Sequence, residues 1–206
     1  MNIIFMGIQG SGKGTQAKAI AKKLELAHIS TGDLFRGATG KLRMKLKEIM
    51  DSGQLVPNEL TLEILKKRIT QDDCKNGIIL DGFPRNLEQA KYLEKEITIN
   101  KVVEIKISDK ESIKRLSGRF SCQNCKKGYN IYTTPKPQQE QICDNCGGKL
   151  IQRADDTPNA IQKRINTYHE QTEPILEFYK EKLITTNGEK SIEIVKKNIL
   201  NLLKKS

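Results

Sequence analysis

The chain reads as an α/β protein: a five-stranded parallel sheet flanked by helices, with a small metal-binding lobe inserted late in the sequence. Three observations predict this. Short apolar runs alternate with segments of helical spacing, the pattern left by crossovers between parallel strands. A glycine-rich turn, Gly7-Ile8-Gln9-Gly10-Ser11-Gly12-Lys13-Gly14-Thr15, joins the first run to the first helix. Residues 118–153 break the alternation with four paired cysteines, Pro135, Pro137 and Gly147-Gly148.

Each element has its own signal. Residues 2–6 are an apolar run ending at glycine, which predicts a buried strand. Ala17, Ile20, Ala21 and Leu24 repeat at helical spacing over residues 13–24. Residues 27–30 predict a second strand, and Thr31 or Asp33 is placed to cap the helix running through Phe35 and Arg36. Residues 42–50 and 58–69 are amphipathic helices, separated by Ser52-Gly53 and Pro57. A third strand, 77–80, ends in Asp81-Gly82-Phe83-Pro84-Arg85. Helix 86–97, strand 101–107 and helix 109–117 follow, the last with Asp109 as its expected N-cap. After the insert, residues 158–182 predict one long helix, 183–186 a fifth strand and 191–204 a closing helix.

Bulk composition narrows the function classes. Hydrophobic residues make up 36% of 206, and no apolar run approaches the ~20 residues of a bilayer span. The glycine-rich loop starts at Gly7 and the thiols suit a reducing setting, so a cytoplasmic protein without a membrane partner is expected. The net charge of +11 would attract polyanions such as nucleic acid. However, the lysines are scattered among glutamates, without an arginine-rich tail or aromatic-basic stripe. Solvated surface is the better account, and no nucleic-acid partner is expected. With no exposed apolar heptad, a monomer is the default.

The spacing Gly-x4-Gly-Lys, from Gly7 to Lys13, is that of a phosphate-binding loop. Gly10, Gly12 and Gly14 let successive N–H groups turn into one concavity, and the next helix adds its positive end. Lys13 supplies a point charge for outer phosphates. The usual next residue is Ser or Thr; here it is Gly14, with Thr15 one step later. A second pattern is Cys122-x2-Cys125, seventeen residues, then Cys143-x2-Cys146. Four thiolates at this spacing predict a closed tetrahedral Zn²⁺ site, structural because no position is left open. Disulfides are the rival. Cys74, His28 and His169 carry no partner pattern and read as structural.

Three blocks then resemble those of adenylate kinases: Gly10-Ser11-Gly12-Lys13-Gly14-Thr15-Gln16, Ser30-Thr31-Gly32-Asp33-Leu34-Phe35-Arg36, and Asp81-Gly82-Phe83-Pro84-Arg85. Gln89 follows the last at the family's offset, and Arg119 and Gln152-Arg153-Ala154-Asp155-Asp156 flank the cysteine pairs. The match runs nearly end to end and is similar to the long, bacterial-type form with a zinc-bearing lid. One departure is Gln9, where the family more often has proline.

The resemblance implies the nucleoside monophosphate kinase fold and Mg²⁺-dependent transfer between ATP, AMP and ADP. It divides the chain into core at 1–29, 58–118 and 157–206, a helical AMP-binding subdomain at 30–57 and a lid at 119–156. It implies Lys13, Arg85, Arg119, Arg153 and Arg164 as catalytic cations. ATP would meet Gly10 to Thr15 of the loop, Arg115, Arg119, Gly128, Tyr129 and Lys190. AMP would meet Thr31, Arg36, Gln54, Leu55, Val56, Gly82, Phe83, Pro84, Arg85, Gln89, Arg153 and Arg164. Asp33 and Asp81 would hold the water shell of Mg²⁺, although Asp33 also suits a helix cap. Asp155 and Asp156 read as arginine-orienting groups, a lid latch or a solvated pair. The alternatives are a kinase for another nucleoside monophosphate, GTP as donor, or a zinc-ribbon nucleic-acid binder. For the last, Lys126, Lys127, Tyr129, Tyr132 and Lys136 are thin support.

Overall fold

In the computed structural model, which describes residues 1–205, eight strands form. Four precede the insert: β1 (Ile3–Met6), β2 (Ala27–Ser30), β3 (Ile78–Asp81) and β4 (Lys101–Lys106). Three short ones lie within it, β5 (Arg119–Cys122), β6 (Gly128–Asn130) and β7 (Leu150–Gln152), and β8 (Leu183–Asn187) follows. The helices are α1 (Lys13–Leu24), α2 (Thr31–Gly37), α3 (Gly40–Asp51), α4 (Asn58–Ile69), α5 (Leu87–Glu96), α6 (Asp109–Ser117), α7 (Pro158–Thr167), α8 (Pro174–Phe178) and α9 (Ile192–Lys205). Ser206, the end of the last expected core segment, lies outside the described residues.

The main sheet has the order β2-β3-β1-β4-β8, all parallel, as expected. Every residue of β1 is buried because its two faces meet two helical layers. Ile3 and Phe5 pack with Ala17, Ile20, Val195 and Ile199 on the α1 and α9 side. Ile4 and Met6 pack with Leu65, Leu93 and Ile175 on the α4, α5 and α8 side. Each such side chain, fully buried, contributes about 1.5–3 kcal/mol. Strand β1 is central, with β3 and β4 beside it. The loop after β1 and Asp81 at the end of β3 therefore emerge side by side at the carboxyl edge, where open α/β sheets bind ligands.

Two caps fall one residue earlier than the sequence suggests. Ser30, not Thr31 or Asp33, caps α2, accepting the Asp33 N–H at 3.3 Å. Ser108, not Asp109, caps α6, accepting from Glu111 N–H. A cap must keep extended backbone outside the helix, as both serines do. The aspartates instead place negative charge in the first turn, which the helix dipole favours.

The expected helix 158–182 is broken into pieces. Helix α7 ends at Thr167, a π turn spans Tyr168–Thr172, and α8 gives way to a 3-10 turn at Lys180–Lys182. Pro174 has no N–H and its ring crowds the carbonyl four residues back, at Glu170. The wider turn accommodates it.

The insert is a three-stranded antiparallel sheet, β6-β5-β7, around Cys122, Tyr129, Cys143 and Leu150. Its strands, three or four residues long, are too short to show alternation in sequence. A second satellite core, Phe35, Leu46 and Val56, joins α2, α3 and α4. Cys74 is buried in the main core, as expected. No described helix is long and apolar enough to cross a membrane.

Candidate active site

The loop after β1 is shaped by its contacts. Gly7 has φ 134°, and a Cβ there would lie 2.3 Å from the Ile105 carbonyl oxygen, so only glycine fits. Gly12 precedes α1 in a left-handed conformation, and no side chain caps the helix. Its first-turn N–H groups are left for an anion. Lys13 Nζ donates to the carbonyls of Gly7 at 2.6 Å and Ile8 at 3.0 Å. Asp81 explains the departure at Gly14: a Cβ there would meet Asp81 Oδ2 at 3.0 Å, the space a Ser or Thr side chain needs. Ser11 is buried with its hydroxyl oxygen unpartnered, whereas Thr15 is exposed.

Around this cradle, cations from distant segments converge. Burial pushes the Lys13 ammonium down to about 8; Asp81 opposes, while Arg85, Arg119 and Arg164 add to the lowering. Arg85 is likewise lowered by burial, against the pull of Asp81, with Arg164 and Arg36 adding to it. Burial, then Arg119 and Arg36, brings Arg153 down to about 10. Groups that feel one another in this way share one cleft, and the excess of positive charge calls for a polyanion.

Carboxylates hold three of these arginines in place. Asp156, whose side chain is 0% exposed, takes a two-pronged bond from Arg119 (2.8 and 2.6 Å) and a third from Arg164 at 2.8 Å. Asp155 takes the other Arg164 nitrogen at 2.8 Å. Arg36 folds onto Asp33, whose carboxyl it holds low although burial works the other way. Arg85 and Arg153 have no carboxylate partner among the described residues. The Arg85 backbone is held instead: its N–H donates to Gln89 Oε1 and its carbonyl accepts from Thr172 Oγ1, each at 2.8 Å. Its Nε donates to the Gly82 carbonyl. Arg115 pairs with Glu111 one turn back on α6 and ties the helix to the Gly10 and Gly188 carbonyls.

The four paired cysteines bring their sulfurs within 4.8 Å of one another, with Cys122–Cys146 and Cys125–Cys143 both at 3.5 Å. Thiolates 2.3 Å from a tetrahedral ion stand ~3.8 Å apart, so the set fits zinc. Each Cys-x-x-Cys turn closes on a left-handed residue, Lys126 or Gly147. Burial raises the Cys143 thiol, but the Tyr129 hydroxyl and the N–H groups of Asn145 and Cys146 outweigh it and bring it to about 6. A thiolate, the form a metal needs, is therefore favoured there.

Known proteins are similar to this chain in sequence along nearly its whole length. The family model for adenylate kinase matches residues 5–184. The adenylate kinase of Acetivibrio thermocellus is 45% identical over 98% of both chains. That of Thermosipho africanus is 43% identical over 100% of both, and that of Clostridium tetani 45% over 98% of both. The chain belongs to the adenylate kinase family.

Within this adenylate kinase scaffold the fold also places the remaining expected site residues. Tyr129, expected at the donor base, is 2% exposed, its hydroxyl 3.5 Å from Cys143 Sγ. Strand alternation turns it into the lid core, which leaves the neighbouring Gly128 in solvent. Lys190 is exposed in the turn before α9. Gln89, expected to read a base edge, is buried and braced: it accepts the Arg85 N–H and donates to Asn58 Oδ1 at 2.8 Å. Thr31 is also buried, donating to the Gly82 carbonyl. Between α3 and α4, Gln54 is exposed, Leu55 half-buried and Val56 buried. Phe83 and Pro84 are buried behind Arg85. His28 is no simple core residue: its Nε2 lies 3.8 Å from Asp81 Oδ2 without a hydrogen bond. Asn58 and Thr172, which position Gln89 and Arg85, have no local sequence pattern that marks them.

Proposed function

We infer that this chain catalyses reversible phosphoryl transfer, ATP + AMP ⇌ 2 ADP. One observation carries the reading: cations from separate segments converge, with Arg119 and Arg164 meeting on Asp156 Oδ1, Lys13 feeling Arg85, Arg119 and Arg164, and Arg153 feeling Arg119 and Arg36. Two polyphosphates repel, and their reaction needs positioning and charge neutralisation more than covalent help. The loop N–H groups and Lys13 hold the donor's outer phosphates. Arg85, Arg36 and Arg164 grip the acceptor phosphate, and Arg119 and Arg153, at the two ends of the lid, follow the group being transferred. The P–O bond to the departing ADP breaks as an AMP phosphate oxygen bonds the same phosphorus. Arginine forks suit this because they meet phosphate in two-pronged fashion.

The segments divide as 1–29, 58–118 and 157–206 for the core, 30–57 for the acceptor and 119–156 for the lid. Asp33 and Asp81 offer carboxylate oxygens that fit the water shell of a Mg²⁺ arriving with ATP, an ion that neutralises phosphate charge. Zn²⁺ on Cys122, Cys125, Cys143 and Cys146 stiffens the lid, whose closure excludes water. Acceptor choice for adenine rests on Thr31 and on Gln54, Leu55 and Val56. The protein acts as a cytoplasmic monomer, without a nucleic-acid or membrane partner.

A coupled assay for ADP, run with ATP and AMP, GMP, UMP, CMP or no acceptor, tests this. AMP should be strongly preferred over a low ATPase background. Equal ADP release without AMP would overturn the assignment.

A further inference from the structure

Gln9 stands in the middle of the phosphate loop, and nothing above uses its side chain. Its backbone is anchored: the Gln9 carbonyl accepts from Ser112 Oγ on α6 at 2.6 Å. Its side chain is not. Oε1 is shut off from solvent and has no hydrogen-bond partner. It lines a recess of about 30 Å³ shared with Lys13, Arg85, Tyr168 and Thr172. A buried carbonyl oxygen is costly to leave unmade, and such groups are rare unless a partner arrives. Donors are at hand in the same recess. Lys13 uses two of its three N–H groups on loop carbonyls. The two terminal nitrogens of Arg85 make no hydrogen bond among the described residues, since only Nε is engaged, on Gly82.

An amide is a neutral group that accepts and donates from opposite corners of a rigid plane, without a proton to gain or lose at working pH. Its last torsion is soft, so the plane can turn to suit its neighbours. With the oxygen toward a cation, the NH2 faces whatever anion lies between the two cations.

The geometry points to Gln9 as a positioning residue for phosphoryl transfer: its amide oxygen holds Lys13 and Arg85 in register, and its NH2 donates to an oxygen of the phosphate between them. This deepens the adenylate kinase reading and rests on it. Gln9 neither gains nor loses a proton; the bonds made and broken are those of the transfer alone.

The test compares the zinc-loaded parent with Gln9→Leu, Gln9→Glu and Gln9→Pro. In Gln9→Leu, kcat should fall about tenfold or more with both KM values within about twofold, because a hydrogen bond from the amide to a charged phosphate, made in the transition state, is lost. Melting temperature should not change. Gln9→Glu keeps the acceptor, loses the donor and sets a charge beside the phosphates. Its kcat should fall about a hundredfold, and its alkaline limb should move to higher pH as Lys13 keeps its proton. Gln9→Pro should lose as much as Gln9→Leu and stands in for it if that variant misfolds.

A second readout needs no turnover. The side-chain ¹⁵NH2 signal of Gln9, assigned by its loss in the Leu or Pro variant, should shift when Mg·ADP saturates the parent. Unchanged kcat in Gln9→Leu and Gln9→Pro, a loss that tracks a lower melting temperature, or a stationary NH2 signal would each overturn the proposal. A parent that does not phosphorylate AMP would sink the functional reading instead, and the NH2 shift would still decide whether Gln9 meets the phosphates.

Discussion

Arg85 is where two demands on one residue can be separated. Its charge is disfavoured by burial and by Arg164 and Arg36, while its backbone is pinned by Gln89 and Thr172. Replacement by lysine keeps the charge and loses the fork. Arg85→Lys should therefore fold with an unchanged melt and lose most of the rate, within the ~10³–10⁵ that one such arginine supplies in related phosphoryl transfers. A lysine variant within tenfold of the parent kcat would show that charge alone suffices. Lys13 gives a test by proton count. Its folded value of about 8 lies below the ordinary 10.5, so the unfolded chain binds more protons between them. The free protein thus gains stability from this group as pH rises through that window. Phosphate oxygens restore the proton's affinity. Calorimetry near pH 8 in buffers of different ionisation heat should show proton uptake on nucleotide binding, absent at mildly acidic pH and in Lys13→Met. Arg36, Arg85 and Arg153 were legible in sequence because they sit in motif blocks, and Arg119 because it flanks the first cysteine pair, whereas Arg115 and Arg164 rested on the family resemblance alone. Asp156 was legible only as one of several readings, since an Asp-Asp pair after an arginine also suits a lid latch or solvated surface, and its burial reveals the fork it accepts.

Among elements, β1 and β3 were legible because each is a short apolar run closed by glycine or aspartate, the near-continuous apolar pattern of strands buried on both faces. The caps were read one residue late because Ser30, Thr31 and Asp33 are all capping types, and only backbone angles choose among them. The π turn was not legible at all. Helical spacing of apolar residues continues through it, and what it achieves is aim: it sets Thr172 under the Arg85 carbonyl and His169 against α6. His169 Nδ1 lies 2.7 Å from Glu173 and Nε2 3.0 Å from Asp109. The Glu173 bond, and then the Asp109 bond and both charges, raise its pKa against a weaker burial effect. A raised histidine stabilises below its unfolded pKa and loses that contribution as pH rises through the folded one. His169→Gln should accordingly lower the melting temperature at about pH 6 and do so much less at about pH 9. An equal shift at both would mean that the ring acts by packing on Tyr168 alone.

At the scale of the molecule, the lid is the part that its own sequence cannot hold. Cys122, Tyr129, Cys143, Leu150 and partly buried Phe120 make up its core, far short of what offsets the ordering of more than thirty residues. A zinc site contributes about 10–16 kcal/mol in peptides that fold on it, comparable to the ~5–15 kcal/mol of a whole domain. The sheet of the core owes nothing to that metal, because its strands pack on α1, α4, α5, α8 and α9. Yet Arg119 opens the lid's first strand and Arg153 follows its last, so ordering of the lid decides where two cations of the site sit. Stripping the metal with a strong chelator should therefore separate the two bodies. Backbone hydrogen exchange should accelerate through β5, β6 and β7 while β1, β3 and β4 stay protected, and the melting temperature should fall. Activity should drop with the metal content and return on adding zinc, whereas Cys125→Ser should resist rescue. If exchange in the lid is unchanged once the metal is gone, or if the core loosens with it, the lid is folded by its protein contacts and the thiolates are not its fastening.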